Sequence, residues 1–187
     1  TRLNIARSVV MAPDMEMNDL ILVSVDDHLV EPPDMFLRHM PAKYQNRAPR
    51  IVKHKGKDVW RIEDRIFTFP GLSSVAGRPR EKYGIEPTTF DQMRKGCYEP
   101  KARVDDMNAN GFFSALCFPC WSDFAGRRYI QIEDKDFALA MVRAANDWHI
   151  HDWCGAAPGR FIPLGVLPLW DVDLAVAEME RLVKLGV

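Results

Sequence analysis

The sequence predicts an α/β protein in which strands and helices alternate around a parallel sheet. Two observations carry this. Near-continuous apolar runs recur at residues 21–25, 112–118 and 161–169, each too short to span a membrane and each bounded by polar or turn-forming residues. Helical patterns follow the second and third runs and precede the second, which is the order of βα units with crossover helices. The runs are continuous rather than alternating, so parallel strands covered on both faces are expected.

The first strand is expected over residues 20–28 and ends in Asp26-Asp27-His28. Pro32-Pro33 bars helix continuation, and a short helix over Asp34–His39 follows, with Asp34 as an acid in its first turn. Residues 49–69 change character. Arg50–His54, Val59–Ile62 and Ile66–Phe69 alternate between polar and apolar positions and are separated by turn-rich links. They read as a small, half-solvated antiparallel meander inserted after the first strand. Residues 70–100 are rich in glycine and proline and read as a lid or functional loop.

A helix is expected over Lys101–Asn110, stopped by Gly111, and the second strand over Phe112–Phe118, broken by Pro119. A long helix is expected over Lys135–Trp153, with Phe137, Met141, Ala144, Ala145 and Trp148 near helical spacing. The third strand covers Phe161–Leu169, and Asp171 caps a helix over Leu174–Leu185. Residues 1–19 show no periodicity and read as an arm, which leaves 20–187 as one domain of three βα units.

Composition narrows the function. The 187 residues are 47% hydrophobic and 27% charged with a formal net charge of −1, so nothing in the charge balance favours nucleic acid or an anionic membrane. No secretory leader pattern opens the sequence, and four cysteines in a chain this long do not form a disulfide scaffold. A reducing cytoplasm is expected. Cys117 and Cys120 make a C-x-x-C, read here as buried thiols at a strand end in preference to a redox or zinc pair.

Asp26 and His28 stand two apart on a strand, so their side chains are expected to leave on one side. At a strand's carboxyl end, a carboxylate and an imidazole form half of a metal site that needs one or two further donors. By spacing alone, two loop-capping residues fit equally well. Asp27 faces the other way and reads as structural, while Glu31 is either a partner of His28 or a salt-bridge acid. His149 and His151 form an H-x-H, but on a helix residues two apart diverge by roughly 200° and cannot grip one ion. Phe118, Trp121 and Trp170 follow strand ends, where they either line a substrate pocket or pack. Arg78, with Arg80, either clamps a substrate carboxylate or is a solvated loop charge.

The segment from Val23 to Phe36, with Asp26, His28, Glu31, Pro32 and Pro33 in place, resembles the opening of the amidohydrolase-related (amidohydrolase 2) family. That group includes aminocarboxymuconate semialdehyde decarboxylase and the hydroxybenzoate decarboxylases. Val75–Arg80, Lys101–Met107, Asn146-Asp147-Trp148 and Gly155–Leu164 add to the resemblance in order along the chain. It implies the N-terminal part of a metal-dependent (β/α)₈ TIM barrel, with Zn²⁺ the usual metal and Mn²⁺ the alternative.

The family's first strand bears H-x-H. Here Asp26 takes the first histidine position and His28 the second, which keeps the donor type and adds negative charge. The implied activity is hydrolysis at a carbonyl centre, with non-oxidative decarboxylation of an aromatic or conjugated acid as the alternative. The implied partner is a small, aromatic or carboxylated substrate. The family's later ligands, a histidine after a middle strand and an acid after the last, are not among these residues. The chain is therefore expected to be about half a barrel, completed by further sequence or by another polypeptide, and possessing a non-catalytic alternative as one half of a pair. Homo-oligomerisation is also expected.

Overall fold

The computed structural model describes residue 16 and residues 19–68, 75–84 and 89–187; most of the expected arm and parts of the expected lid lie outside the described residues. A parallel three-stranded sheet, in the order β1-β5-β6, is formed by β1 (Leu22–Leu29), β5 (Phe112–Pro119) and β6 (Phe161–Ile162). A second sheet, antiparallel, is formed in sequence order by β2 (Arg50–His54), β3 (Lys57–Ile62) and β4 (Arg65–Thr68).

The helices start and stop where local chemistry directs. After Pro32-Pro33 comes the short helix α1 (Met35–His39), preceded by Asp34, which pairs with Arg38 one turn on (3.0 Å). Helix α2 (Pro100–Ala109) begins on a proline whose missing N–H costs nothing in a first turn, and Gly111 follows it with φ +75°. After the short α3 (Arg127–Ile130), α4 (Lys135–Asp147) is capped by Asp134, whose carboxylate accepts from Phe137 N–H at 3.0 Å. Helix α5 (Val172–Lys184) is capped in the same way by Asp171, which accepts from Leu174 N–H at 3.0 Å. Asp171→Ala is expected to cost about 1 kcal/mol, read as a lower urea midpoint at an unchanged slope.

The structure corrects the expected long helix over Lys135–Trp153. Its α-helical part ends at Asp147, and Trp148–Cys154 continue as a π-helical turn, closed by Gly155 N–H donating to the Ile150 carbonyl five residues back (2.9 Å). Gly155 is required there, because a Cβ would collide with the carbonyl oxygen of His151.

The third strand is also shorter than expected: only Phe161 and Ile162 join the ladder, not the run to Leu169. Pro163 and Pro168 have no N–H to donate. The backbone of Val166 is satisfied instead by one side chain, Asn146, which accepts from its N–H (2.8 Å) and donates to its carbonyl (2.9 Å). The same amide donates to Glu178 of α5 (2.8 Å), a fully buried carboxylate that also takes Arg181 (2.7 Å) and Arg143 (3.1 Å). Burial pushes this carboxyl up, but the hydrogen bonds from Arg181, Asn146 and Arg143 outweigh it and hold it below its ordinary range.

A third correction concerns β1. It is not covered on both faces: Ile21, just before it, is 73% exposed and Val25 66%, and burial sets in only at Leu29 and Val30. β1 is an edge strand, with β5 its sole neighbour in the sheet among the described residues.

The antiparallel sheet is less solvated than its alternation suggests. Trp60 is buried and meets Phe36 and Trp121 at ring-centroid distances of 5.5 and 5.2 Å, and Phe67 meets Trp121 at 5.5 Å. This aromatic cluster joins the second sheet to the segments that follow β1 and β5. Within the expected lid, the described residues 89–99 are packed and not open: they form 3₁₀ turns at Phe90–Gln92 and Lys95–Cys97, with Met93 and Cys97 buried.

Candidate functional site

The carboxyl end of β1 delivers Asp26, Asp27 and His28. Between Ser24 and Asp27 the strand advances three residues while β5 advances two, from Ala115 to Cys117. Such an irregularity re-aims side chains at a strand end. Asp26 and His28 are both exposed, and among the described residues neither side chain has a hydrogen-bond or ion-pair partner. The His28 ring lies 5.9 Å from that of Phe118, its register partner on β5.

Asp27 differs from its neighbours. It is half-buried and faces Arg103 of α2 at 3.5 Å. Arg103 is the organiser of this strand end. Its guanidinium donates to the carbonyl of His28 (2.6 Å) and, through Nε, to the carbonyl of Gly96 (2.6 Å). Beside it, Val30 N–H donates to the carbonyl of Cys97 at 2.8 Å. The backbone that carries His28 is therefore held from α2 and from the 3₁₀ turn at Lys95–Cys97. Nothing local in the sequence reveals this role, since Arg103 and His28 are 75 positions apart. Asp27 and His28 border a cleft of about 680 Å³ whose walls include Ala76, Arg94, Cys97 and Arg103.

The other expected site residues are distributed unevenly. Phe118 is 40% exposed and close to His28. Trp121 is 2% exposed within the aromatic cluster, with the Arg128 guanidinium 4.5 Å from its ring centre, so the structure places it in packing. Trp170 is half-buried beside the core, with Lys135 Nζ 5.4 Å from its ring centre. Arg78 donates to the carbonyl of Gln92 at 2.8 Å, tying its loop to the packed segment 89–99. Glu31 bonds neither His28 nor a basic residue among the described residues; its Oε1 accepts from Trp121 N–H at 2.7 Å, joining the turn after β1 to the turn after β5.

The two histidines of the H-x-H pair lie in the π-helical turn and not in an α-helix; His149 is buried and His151 exposed. All four cysteines are free, and burial pushes the Cys117 thiol up to about 11, so it is protonated at neutral pH.

Could the residues present hold a metal? Among the described residues no group of three or more His, Cys, Asp or Glu side chains converges as a metal site. Asp26 and His28 nevertheless have the donor chemistry of one half: a carboxylate and an imidazole with uncommitted donor atoms, exposed at a strand end. They fit as a partial donor set. Among the described residues no helix is long and apolar enough to cross a membrane.

Comparison with known proteins adds three findings. Residues 33–187 match the sequence model of the Amidohydrolase family, a match that starts just after the Asp26–His28 strand end. The chain is similar in fold to the amidohydrolase map2389c from Mycobacterium avium subsp. paratuberculosis K-10 (TM-score 0.65, 22% identity), over 89% of this chain and 48% of that one. It also aligns with 2,6-dihydroxybenzoate decarboxylase from Rhizobium (TM-score 0.43, 20% identity), over 88% of this chain and 35% of that one. The chain thus spans about half the length of the first of these structures.

Proposed function

The chain belongs to the amidohydrolase family, and from that premise we propose that Asp26 and His28 are two donors of a divalent-metal centre serving hydrolysis at a carbonyl carbon. The observation that carries this reading is their shared state: both side chains are exposed at the end of β1 and without a hydrogen-bond or ion-pair partner among the described residues, while Asp27 between them is engaged by Arg103. A divalent cation there supplies Lewis acidity toward a carbonyl oxygen and toward water.

The protein's own residues do the rest. His28 offers an imidazole nitrogen; its backbone carbonyl is held by Arg103 and its ring is flanked by Phe118. Asp26 adds a hard, anionic oxygen donor, which suits Zn²⁺ and widens the choice toward Mn²⁺. Phe118 presents an apolar surface beside the centre, appropriate to a small substrate with an aromatic body. In this reading Arg78 supplies positive charge near the cleft for a substrate carboxylate, from the loop that also places Gly77 in its wall. The remaining donors come from outside the described residues, and the exposed apolar side chains of β1 are covered by whatever supplies them.

Metal content of the full-length protein, measured by plasma mass spectrometry, tests the centre. Wild type is expected to hold a stoichiometric divalent metal, and His28→Ala and Asp26→Ala to lose most of it; unchanged content in both variants would end the reading. Reaction class is tested on the same metal-loaded protein. Turnover of carboxylic esters or amides is expected, whereas CO₂ release from 2,6-dihydroxybenzoate without such turnover would replace the hydrolase by a decarboxylase.

A further inference from the structure

Two arginines from distant segments meet at one aromatic ring. Arg65 of β4 and Arg128 of α3 hold their guanidinium carbons 5.2 and 4.8 Å from the ring centre of Phe67. Arg128 also lies 4.5 Å from the ring centre of Trp121, and the two rings are 5.5 Å apart at 79°. These three separations are nearly equal, so Arg128 sits in a corner between the rings and not in a sandwich. Neither ring covers its outer edge.

Among the described residues no carboxylate bonds either cation. Arg65 makes one long hydrogen bond, to the carbonyl of Gln131 (3.4 Å), and the Arg128 guanidinium makes none. The acids near Arg128 are engaged elsewhere: Asp123 pairs with Arg127 (2.7 Å), and Glu31 Oε1 accepts from Trp121 N–H (2.7 Å) while Oε2 meets no donor. Burial pushes Arg128 down from its ordinary value, with Asp123 and Glu31 acting the other way. Its nitrogens nevertheless reach solvent, because Arg128 is only half-buried and none of them is among the sealed, unpartnered polar atoms. Cation–π attraction offsets part of the desolvation but satisfies no N–H. The turn that carries Arg128 is also strained: Asp123 has φ +57° with ψ 179° and Ala125 has φ +52°, a kind of outlier that clusters at ligand-binding positions. This turn follows the carboxyl end of β5, the end at which Phe118 is in register with His28.

We propose that Arg128 and Arg65 form a carboxylate subsite at Phe67, in which the open edge of the Arg128 fork grips an organic acid. The carboxylate accepts two parallel N–H bonds of about 2.7–2.9 Å from Arg128, and Arg65 adds a second positive charge. The apolar rings beside the fork favour an acid with an organic body over a bare inorganic anion. Recognition of a substrate by this subsite rests on the hydrolytic reading above; carboxylate binding itself does not.

Calorimetric titration of benzoate into the full-length protein tests this, with benzamide as the neutral isostere. Wild type is expected to bind benzoate saturably and benzamide at least about 10-fold more weakly. Arg128→Gln is expected to weaken benzoate by about 10–100-fold, and Arg65→Gln by less. Arg61→Gln removes an exposed positive charge from the adjacent β3 and is expected to bind as wild type does. Absence of saturable benzoate binding, equal affinity for benzamide, or wild-type affinity in Arg128→Gln would overturn the proposal. So would inorganic phosphate binding to wild type more tightly than benzoate. The benzoate–benzamide comparison needs no variant, so it holds whatever Arg128→Gln does to folding. Metal content of Arg128→Gln is expected to equal that of wild type, so the subsite and the metal centre fail separately.

Discussion

Replacing Arg103 by alanine is expected to destabilise the protein by about 3 kcal/mol, because two carbonyls lose a charged donor together. Those carbonyls belong to His28 and Gly96, each 2.6 Å from the guanidinium, and Asp27 loses its cation in the same step. Arg103→Lys restores the charge but not the planar fork, and is expected to recover less than half of the loss. Urea unfolding of both variants reads this directly; a midpoint for Arg103→Ala within 0.5 kcal/mol of wild type would show, on the scale of ordinary surface substitutions, that the clamp is idle. Because the clamp holds the backbone that presents His28, metal affinity of Arg103→Ala is also expected to fall, by about 10–100-fold.

The second large effect is a pH swing at Glu31. Burial raises this carboxyl to about 7 from an ordinary value of 4.5, so the folded protein binds a proton that the unfolded chain releases between those values. The associated stability is fully present below pH 4.5 and is lost as pH rises through 7, a change of about 3 kcal/mol. Arg128, which faces Glu31, lowers its pKa somewhat but stays charged across this range, and Tyr129 is pushed up by burial and does not titrate here. His149 works the opposite way. Its pKa is depressed to about 4 from 6.5, so its contribution is present above 6.5 and lost on acidification through 4.

Between pH 4.5 and 6.5 the two therefore oppose each other. Glu31→Gln keeps an acceptor for Trp121 N–H and removes only the titration. Relative to wild type, its unfolding free energy is expected to rise by about 3 kcal/mol from pH 4.5 to pH 8. A constant offset across that range would mean Glu31 is not titrating there.

These predictions rest on features of unequal legibility. Helix limits have local causes: Asp134 and Asp171 accept from an N–H three residues on, and Pro100 and Gly111 act through their own backbones; of these, Asp171 and Gly111 read as limits from the sequence, while Pro100 reads as loop and Asp134 is missed. The break in the long helix after Asp147 was not readable, since Phe137, Met141, Ala144, Ala145 and Trp148 follow helical spacing up to its first residue, and that spacing does not separate an α turn from a π turn. The last apolar run, Phe161–Leu169, has the composition of a strand, yet its backbone is claimed by Asn146 from another helix.

What the amino-acid sequence by itself determined is the alternation of strands and helices, the caps that bound them, and the placement of Asp26 and His28 at a strand's carboxyl end. All of these follow from apolar periodicity and from hydrogen bonds closed within a few residues. Only the tertiary structure decided that β5 is the sole sheet neighbour of β1 among the described residues, that Asp27 and the backbone of His28 are held by Arg103, and that Glu31 accepts from Trp121 N–H. Those outcomes join residues separated by 75 or 90 positions, as Arg103 is from His28 and Trp121 from Glu31. Contacts that distant are chosen by which packing buries the most apolar surface while satisfying buried polar groups, and no local pattern encodes that choice.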